Sequence, residues 1–60
     1  MSDNGYVYIQ AEYVGGIWQT LSTVMNNAQI IAHSMKSLGQ RMPDKRIRAV
    51  DENGRVVDML

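Results

Sequence analysis

The sequence predicts an α+β fold of ββαββ order, in which one helix packs on one face of a four-stranded, largely antiparallel sheet. Residues 6–14 alternate apolar and polar or aromatic side chains with a period of two, which is typical of a strand. Residues 28–38 repeat apolar side chains at helical spacing. Segments 14–16 and 52–54 contain glycine and have the composition of tight hairpin loops.

The first strand ends at Gly15 and Gly16, which can both take positive φ. A three-residue loop over 14–16 would pair Tyr13 with Ile17 and Ile9 with Leu21. The residues then predicted to face the helix are Val7, Ile9, Ala11, Ile17 and Leu21. The residues predicted on the other face are Tyr6, Tyr8, Trp18 and Thr20. A two-residue Gly-Gly turn would exchange the faces of Ile17 and Trp18.

Residues 17–42 also fit a second interpretation, one long helix in a βαββ arrangement. Apolar residues from Ile17 to Met42 are spaced 4,3,4,3,4,3,4, which is a heptad pattern. However, residues 17–27 are mostly poor helix formers and carry no charge. A helix over 17–42 would also be about 39 Å long, which exceeds what the short strands could cover. We therefore favour a second strand over 17–24.

The helix is predicted to begin after Asn26 as N-cap, with Gln29 completing a capping box and with Met25 and Ile30 forming a hydrophobic staple. Gly39 is a candidate C′ residue, and Pro43 prevents continuation past Met42. The predicted core stripe is Ala28, Ile31, Met35 and Leu38. The predicted outer face carries Gln29, His33, Lys36, Ser37 and Gln40.

The last segment is predicted to be a hairpin with a three-residue loop over 52–54, so that Asp51 faces Arg55 and Gly54 takes the left-handed position. Counting outwards, the predicted pairs are Val50–Val56, Ala49–Val57, Arg48–Asp58 and Ile47–Met59. The predicted core face is then Ile47, Ala49, Val57 and Met59. A two-residue Asn53-Gly54 turn would instead mix the two faces.

The whole chain, residues 1–60, is expected to be one small domain with residues 1–5 as a disordered tail. Its order of elements resembles that of the small β-grasp immunoglobulin-binding domains of streptococcal surface proteins, in which one helix crosses a four-stranded sheet. The resemblance is one of architecture and implies no activity.

The size of the chain points to a partner. Domains below about 70 to 80 residues usually need disulfides, a metal or another chain. This chain has 60 residues, no cysteine and one histidine. We therefore expect a homo-oligomer, most simply a homodimer. The absence of cysteine, of a signal-like N-terminus and of a long apolar run favours a cytoplasmic protein with no membrane association.

The residue types present do not favour catalysis. His33 and Ser34 are neighbours on the predicted helix and point about 100° apart, so they cannot act as base and nucleophile. The Gly15-Gly16 pair lacks the motif context of a phosphate-binding loop. The acids of residues 51–54 lack the spacing of a calcium loop. We expect no enzyme activity, no catalytic residues, no cofactor and no metal site.

The face opposite the helix is predicted to be the binding surface. It would expose Tyr6, Tyr8, Trp18, Val50, Val56 and Leu60, and exposed apolar patches usually mark interfaces. The candidate protein-binding residues are Tyr6, Tyr8, Trp18, Arg46 and Arg48.

Aromatic and arginine side chains could alternatively bind single-stranded nucleic acid, but the net charge of zero disfavours it. The expected function is a small non-enzymatic interaction module that binds or inhibits a larger macromolecule. A chain this small suits a regulator, including the phage or mobile-element proteins that block a host machine.

Overall fold

The computed structural model describes residues 5–60 and has the predicted ββαββ order. Its elements are β1 Tyr6–Tyr13, β2 Ile17–Met25, α1 Ala28–Arg41, β3 Ile47–Asp51 and β4 Val56–Met59. The strands form one antiparallel sheet in the order β2-β1-β3-β4, so β1 and β3 are central and β2 and β4 are the edges. Because residues 17–25 are a strand, the alternative of one helix over 17–42 is wrong.

Residues 1–4 of the expected N-terminal tail lie outside the described residues. Gly5, the last residue of that expected tail, is bonded to the sheet: its carbonyl oxygen accepts the N–H of Asn26 at 3.0 Å. The backbone pairing of the first hairpin therefore extends one residue beyond β1.

The core lies between α1 and the two central strands. Its buried members are Val7, Ile9, Ala11, Ile31, Met35, Leu38, Ile47 and Ala49. All of them come from β1, α1 and β3. A central strand has a neighbour on both sides and the helix above one face, so its inward side chains lose nearly all contact with solvent. Tyr13, Val24 and Met42 pack against the margin of this cluster.

The first hairpin closes as predicted but then changes register. Tyr13 pairs with Ile17, and the N–H of Gly16 donates to the carbonyl of Tyr13 at 3.1 Å. A bulge next to Ile9 then adds one residue to β2, so Ile9 lies opposite Ser22 and the predicted Ile9–Leu21 pair is wrong. The bulge reverses the alternation of β2, because one extra residue exchanges the two faces of a strand.

The predicted burial of two β2 residues is also wrong. Ile17 lies on the helix side by its register with Tyr13, but its side chain is 59% exposed. Leu21 occupies the bulge and is also exposed. Val24, opposite Val7, packs against the core instead.

The second hairpin shows the same combination of success and error. Gly54 has a φ of +81°, its N–H donates to the carbonyl of Asp51, and Val50 pairs with Val56, all as predicted. A bulge next to Val50 then shifts β4 by one residue. The predicted pairs Ala49–Val57, Arg48–Asp58 and Ile47–Met59 are therefore wrong, since Asp58 lies opposite Ala49 and Met59 opposite Arg48.

This shift also moves the end of the chain. Met59 shares the face of Arg48, away from the helix, instead of the predicted core face. Leu60 donates its N–H to the carbonyl of Ile47 at 3.0 Å and lies next to Gly39 of the helix, so its predicted place on the opposite face is wrong, although it is 65% exposed. Val57, also predicted in the core, is 43% exposed.

The helix begins one residue later than predicted. Asn27 is the N-cap, and its Oδ1 accepts the N–H groups of Gln29 and Ile30 at 2.9 and 3.1 Å. Asn26 has the same side chain, but its backbone N–H still bonds to Gly5 as an extension of the first hairpin, so the helix begins one residue further along and Asn27 becomes the cap. Gln29 therefore lies too early for the predicted capping box.

The helix end corrects a second prediction. Gly39 lies inside the helix, which runs to Arg41 with Met42 as C-cap, and a Cβ at position 39 would collide with Leu60. The end before Pro43 is confirmed. Ile31, Met35 and Leu38 are buried as predicted, whereas Ala28 is exposed. All the residues predicted for the outer face are exposed.

Candidate interaction surface

The sheet face opposite the helix is called the open face here, because no described element covers it. The strand registers place these residues on it: Tyr6, Tyr8, Gln10, Glu12, Trp18, Thr20, Thr23, Met25, Arg48, Val50, Val56 and Met59. Four of the predicted binding residues, Tyr6, Tyr8, Trp18 and Arg48, are thus brought to one face. Leu60 is absent from it, and Met25 and Met59 are added by the two bulges.

One end of the open face is apolar, and we call Tyr6, Tyr8, Met25, Val50 and Val56 the apolar end. Tyr6 lies opposite Met25, while Tyr8 lies opposite Val50, which in turn faces Val56. Tyr6 is 53% and Met25 61% exposed, and Val56 is exposed as well. Val50 is buried although it does not belong to the helix-side core, so neighbouring side chains already cover it.

The other end of the open face is polar and internally bonded. The side-chain amide of Gln10 donates from Nε2 to Thr20 Oγ1 at 3.1 Å, and Arg48 Nε donates to Gln10 Oε1 at 2.8 Å. The guanidinium carbon of Arg48 also lies 4.0 Å from the centroid of the Trp18 ring. These contacts join β2, β1 and β3 and hold Arg48 and Trp18 in a defined arrangement.

Arg48 is therefore not the cross-strand partner of Asp58 that the sequence predicted. The bulge in β4 places Met59 opposite Arg48, and Asp58 Oδ1 instead accepts the N–H of Met59 at 2.9 Å. The nearest contacts of the guanidinium are on β1 and β2, so Arg48 links the two hairpins instead of stabilising only its own.

Arg46 lies at the margin of the open face, just before β3. Its carbonyl accepts the N–H of Glu12 at 3.0 Å, and its Nη1 is 3.9 Å from Glu12 Oε1. The Arg46 side chain is 68% exposed, so this ion pair is worth about 0 to 1 kcal/mol. Its position is that of a rim residue.

Two shallow clefts lie beside the helix. One, of about 240 Å³, is lined by Asn26, Ala28, Ile31, Val57 and Asp58. The other, of about 280 Å³, is lined by His33, Lys36, Ser37 and Gln40. Within residues 5–60, no polar or charged residue is buried, and no three His, Cys, Asp or Glu side chains converge as metal ligands. Across the same residues, the one helix is neither long nor apolar enough to cross a membrane.

Sequence reasoning did not assign four residues of the open face to the binding surface: Gln10, Thr23, Met25 and Met59. Gln10 could have been found, because the alternation of β1 places it between Tyr8 and Glu12 on the same face. Thr23, Met25 and Met59 depend on the bulges and carry no such signal. Comparison of the chain with protein-family models, with curated proteins and with solved structures finds no match. The resemblance to β-grasp domains therefore rests on the order of elements alone.

Proposed function

We propose that the protein is a non-enzymatic interaction module that acts as a homodimer and binds or inhibits a larger macromolecular partner through the open face. The observation that carries the proposal is the apolar end, where Tyr6 and Met25 are exposed side by side and Val56 is exposed at the other edge of the sheet, beyond Tyr8 and Val50. Contiguous apolar surface of this kind is typical of protein interfaces, and aromatic residues, Met and Arg are enriched there.

The organisation of the surface supports the same proposal. The apolar end is bordered by the bonded set of Gln10, Arg48 and Trp18, with Arg46 beyond it. An apolar centre with a polar margin is the usual anatomy of a protein interface. Because Arg48 and Trp18 are already held by contacts within the chain, ordering them on binding costs little.

Single-stranded nucleic acid is the second candidate ligand. Trp18, the tyrosines and Arg48 are the side-chain types that stack on bases. However, the Trp18 ring already carries the Arg48 guanidinium, Arg46 lies near Glu12, and the net charge is zero. Both cations thus have partners within the chain, which supports a protein ligand over a polyanion.

The chain is small, and within residues 5–60 no three His, Cys, Asp or Glu side chains converge as metal ligands. Both features support a regulatory role of the kind that phages and other mobile elements use to block a bacterial host machine. The absence of cysteine supports a cytoplasmic location as part of the same proposal.

The test is quantitative capture from a lysate of the source organism, using the wild type, Met25→Lys and Gln40→Lys. Met25 lies on the apolar end and Gln40 on the exposed outer face of the helix, so both variants add one positive charge at an exposed site. We expect a partner that Gln40→Lys retains and Met25→Lys loses by at least about tenfold, since one desolvated charge costs more than 1.4 kcal/mol. Loss by Gln40→Lys alone would assign binding to the helix and contradict the proposal.

A salt titration separates the two ligand classes. Labelled single-stranded DNA and RNA are titrated at low and moderate salt with the wild type and Arg46→Ala. We expect no micromolar binding. Binding that weakens steeply with salt and with loss of Arg46 would reverse the ranking, because phosphate contacts release counterions.

A further inference from the structure

The strand β2 is rich in large apolar residues, yet most of it is exposed to water. None of its residues is buried, and only Trp18 and Val24 are partly so. Its large apolar residues are Ile17, Trp18, Leu21, Val24 and Met25. They lie on both faces, because Ile17 shares the side of Tyr13 and the helix, whereas Trp18 and Met25 lie on the open face. The helix and the neighbouring strand therefore leave most of this apolar surface exposed to water.

β2 is also an edge with unpaired backbone groups. Glu12 donates its N–H to Arg46 on the β3 side of β1. In an antiparallel strand both backbone groups of a residue point the same way and the direction alternates, so Tyr8 also points to β3. Thr23 is the β2 partner of Tyr8, and its N–H and C=O therefore point outwards, away from the sheet.

Two common protections of an exposed edge strand, short length and charged residues, are missing from β2. Both prevent pairing with another chain. β2 spans nine residues, and residues 13–35 contain no Asp, Glu, Lys or Arg. The other edge, β4, spans four residues and carries Asp58. Of the two edges, β2 is the one suited to pairing.

We propose that β2 pairs antiparallel with β2 of a second copy, joining the two sheets into one continuous sheet across a two-fold axis. This deepens the proposed homodimer by assigning its interface. A symmetric pair places β2 beside an identical strand, so a charge on or next to the axis would face a like charge of the other copy, and an uncharged strand avoids that repulsion. The partner that best fits β2 is therefore an identical strand.

The available area fits a second copy. A standard interface takes about 800 Å² from each partner, roughly a fifth of the 4193 Å² that the described residues expose. Hydrogen bonding along one edge cannot supply this alone. Val24 on the helix side and Met25 on the open face flank the seam and add apolar area above and below it.

The bulge at Leu21 divides the edge, and we place the pairing on Ser22–Met25. This half carries the outward backbone of Thr23, and it lies beside the exposed apolar pair Tyr6 and Met25. With Thr23 at the centre, the two copies exchange N–H···O=C bonds through this residue. The open faces of both copies then form one surface, on which Tyr6, Tyr8 and Val56 of each apolar end lie outside the seam and are available to a larger partner.

The test is sedimentation at micromolar concentration of the wild type, Thr23→Pro, Thr23→Lys and Val56→Lys. We expect a dimeric wild type and at least about tenfold weaker dimers for both Thr23 variants. Proline removes the outward N–H that the seam needs and no bond of the β1 ladder, and the Lys variant tests the same site if the Pro variant fails to fold. Val56→Lys adds the same charge to the open face at the β4 edge and should remain dimeric.

A dimer that Val56→Lys dissociates and the Thr23 variants preserve would assign the interface to the open face and overturn the inference. A monomeric wild type would overturn it as well. Because Met25 borders the seam, the capture comparison for an external partner also uses Val56→Lys, which should lose the partner while it remains dimeric. Slower hydrogen exchange of the Thr23 amide at higher protein concentration is the expected independent signature.

Discussion

The two hairpins, β1–β2 and β3–β4, have the same outline. Each closes with a three-residue loop that ends in a glycine of positive φ, +76° at Gly16 and +81° at Gly54, although in the first loop Gly15 also has a positive φ of +86°. Each then adds one residue to its outer strand, at Leu21 and at Val57. In each, the inner strand supplies buried residues and the outer strand supplies none.

The hairpins differ in how the outer strand ends the sheet. β4 is short and carries Asp58, and its loop is held by Asp51 Oδ1, which accepts the N–H groups of Asn53 and Arg55 at 2.9 Å each. β2 is longer and uncharged. Both hairpins have a three-residue loop and one bulge in the outer strand, yet β4 disfavours pairing with another chain and β2 permits it. The difference lies in strand length and charge.

The largest effect separates inner from outer strands. Ile47→Ala in β3 should lower the free energy of unfolding by about 2 to 5 kcal/mol, because its side chain is 1% exposed and a cavity remains. Val57→Ala in β4 should cost less than about 1 kcal/mol, since much of that side chain is in water. Denaturant titration measures both, and equal losses would contradict the assignment of β4 as an exposed edge.

The glycine that ends each loop is tested by substitution. Gly16→Ala and Gly54→Ala should each cost roughly 1 to 2 kcal/mol, because a Cβ is strained at positive φ. Val14→Ala, at an exposed position of the first loop, is the control and should change stability by less than about 0.5 kcal/mol. A neutral result at either glycine would show that this residue does not hold a positive φ in solution.

The loop of the second hairpin should be weakened by Asp51→Ala. The loss of two accepted hydrogen bonds at an exposed site is expected to cost about 1 kcal/mol. Asp51→Asn keeps an oxygen acceptor and should recover most of that loss. Hydrogen exchange at the Asn53 and Arg55 amides reports the contact directly, and unchanged exchange in Asp51→Ala would show that it is absent in solution.

The smallest effect concerns the link between the hairpins. A double-mutant cycle with Arg48→Ala and Trp18→Leu should give a coupling free energy of about 0.5 to 1 kcal/mol, as expected for a partly exposed cation–π contact. The Arg46 and Glu12 pair is the matched control and should show almost none, because the Arg46 side chain is 68% exposed and solvent screens the ion pair. A larger coupling for the control pair would reverse this ranking of the two arginines.

The local patterns that were predicted correctly depend on short stretches of chain. Alternation places Val7, Ile9 and Ala11 in the core, and helical spacing does the same for Ile31, Met35 and Leu38. Glycine at the left-handed position of each loop specifies the turn. The strand, helix and loop patterns depend on backbone steric preferences and on the burial of one apolar face. Residues close together in the sequence determine both.

The sequence by itself therefore determined the order of elements, the loop lengths and the buried core residues of β1, α1 and β3. Only the tertiary structure decided the bulges at Leu21 and Val57, the cap at Asn27 instead of Asn26, and the inclusion of Gly39 in the helix. Leu21 and Val57 fit a regular strand equally well, and the two asparagines are chemically identical. The choice depends on contacts between distant segments, such as Gly5 with Asn26 and Leu60 with Gly39, which no local pattern contains.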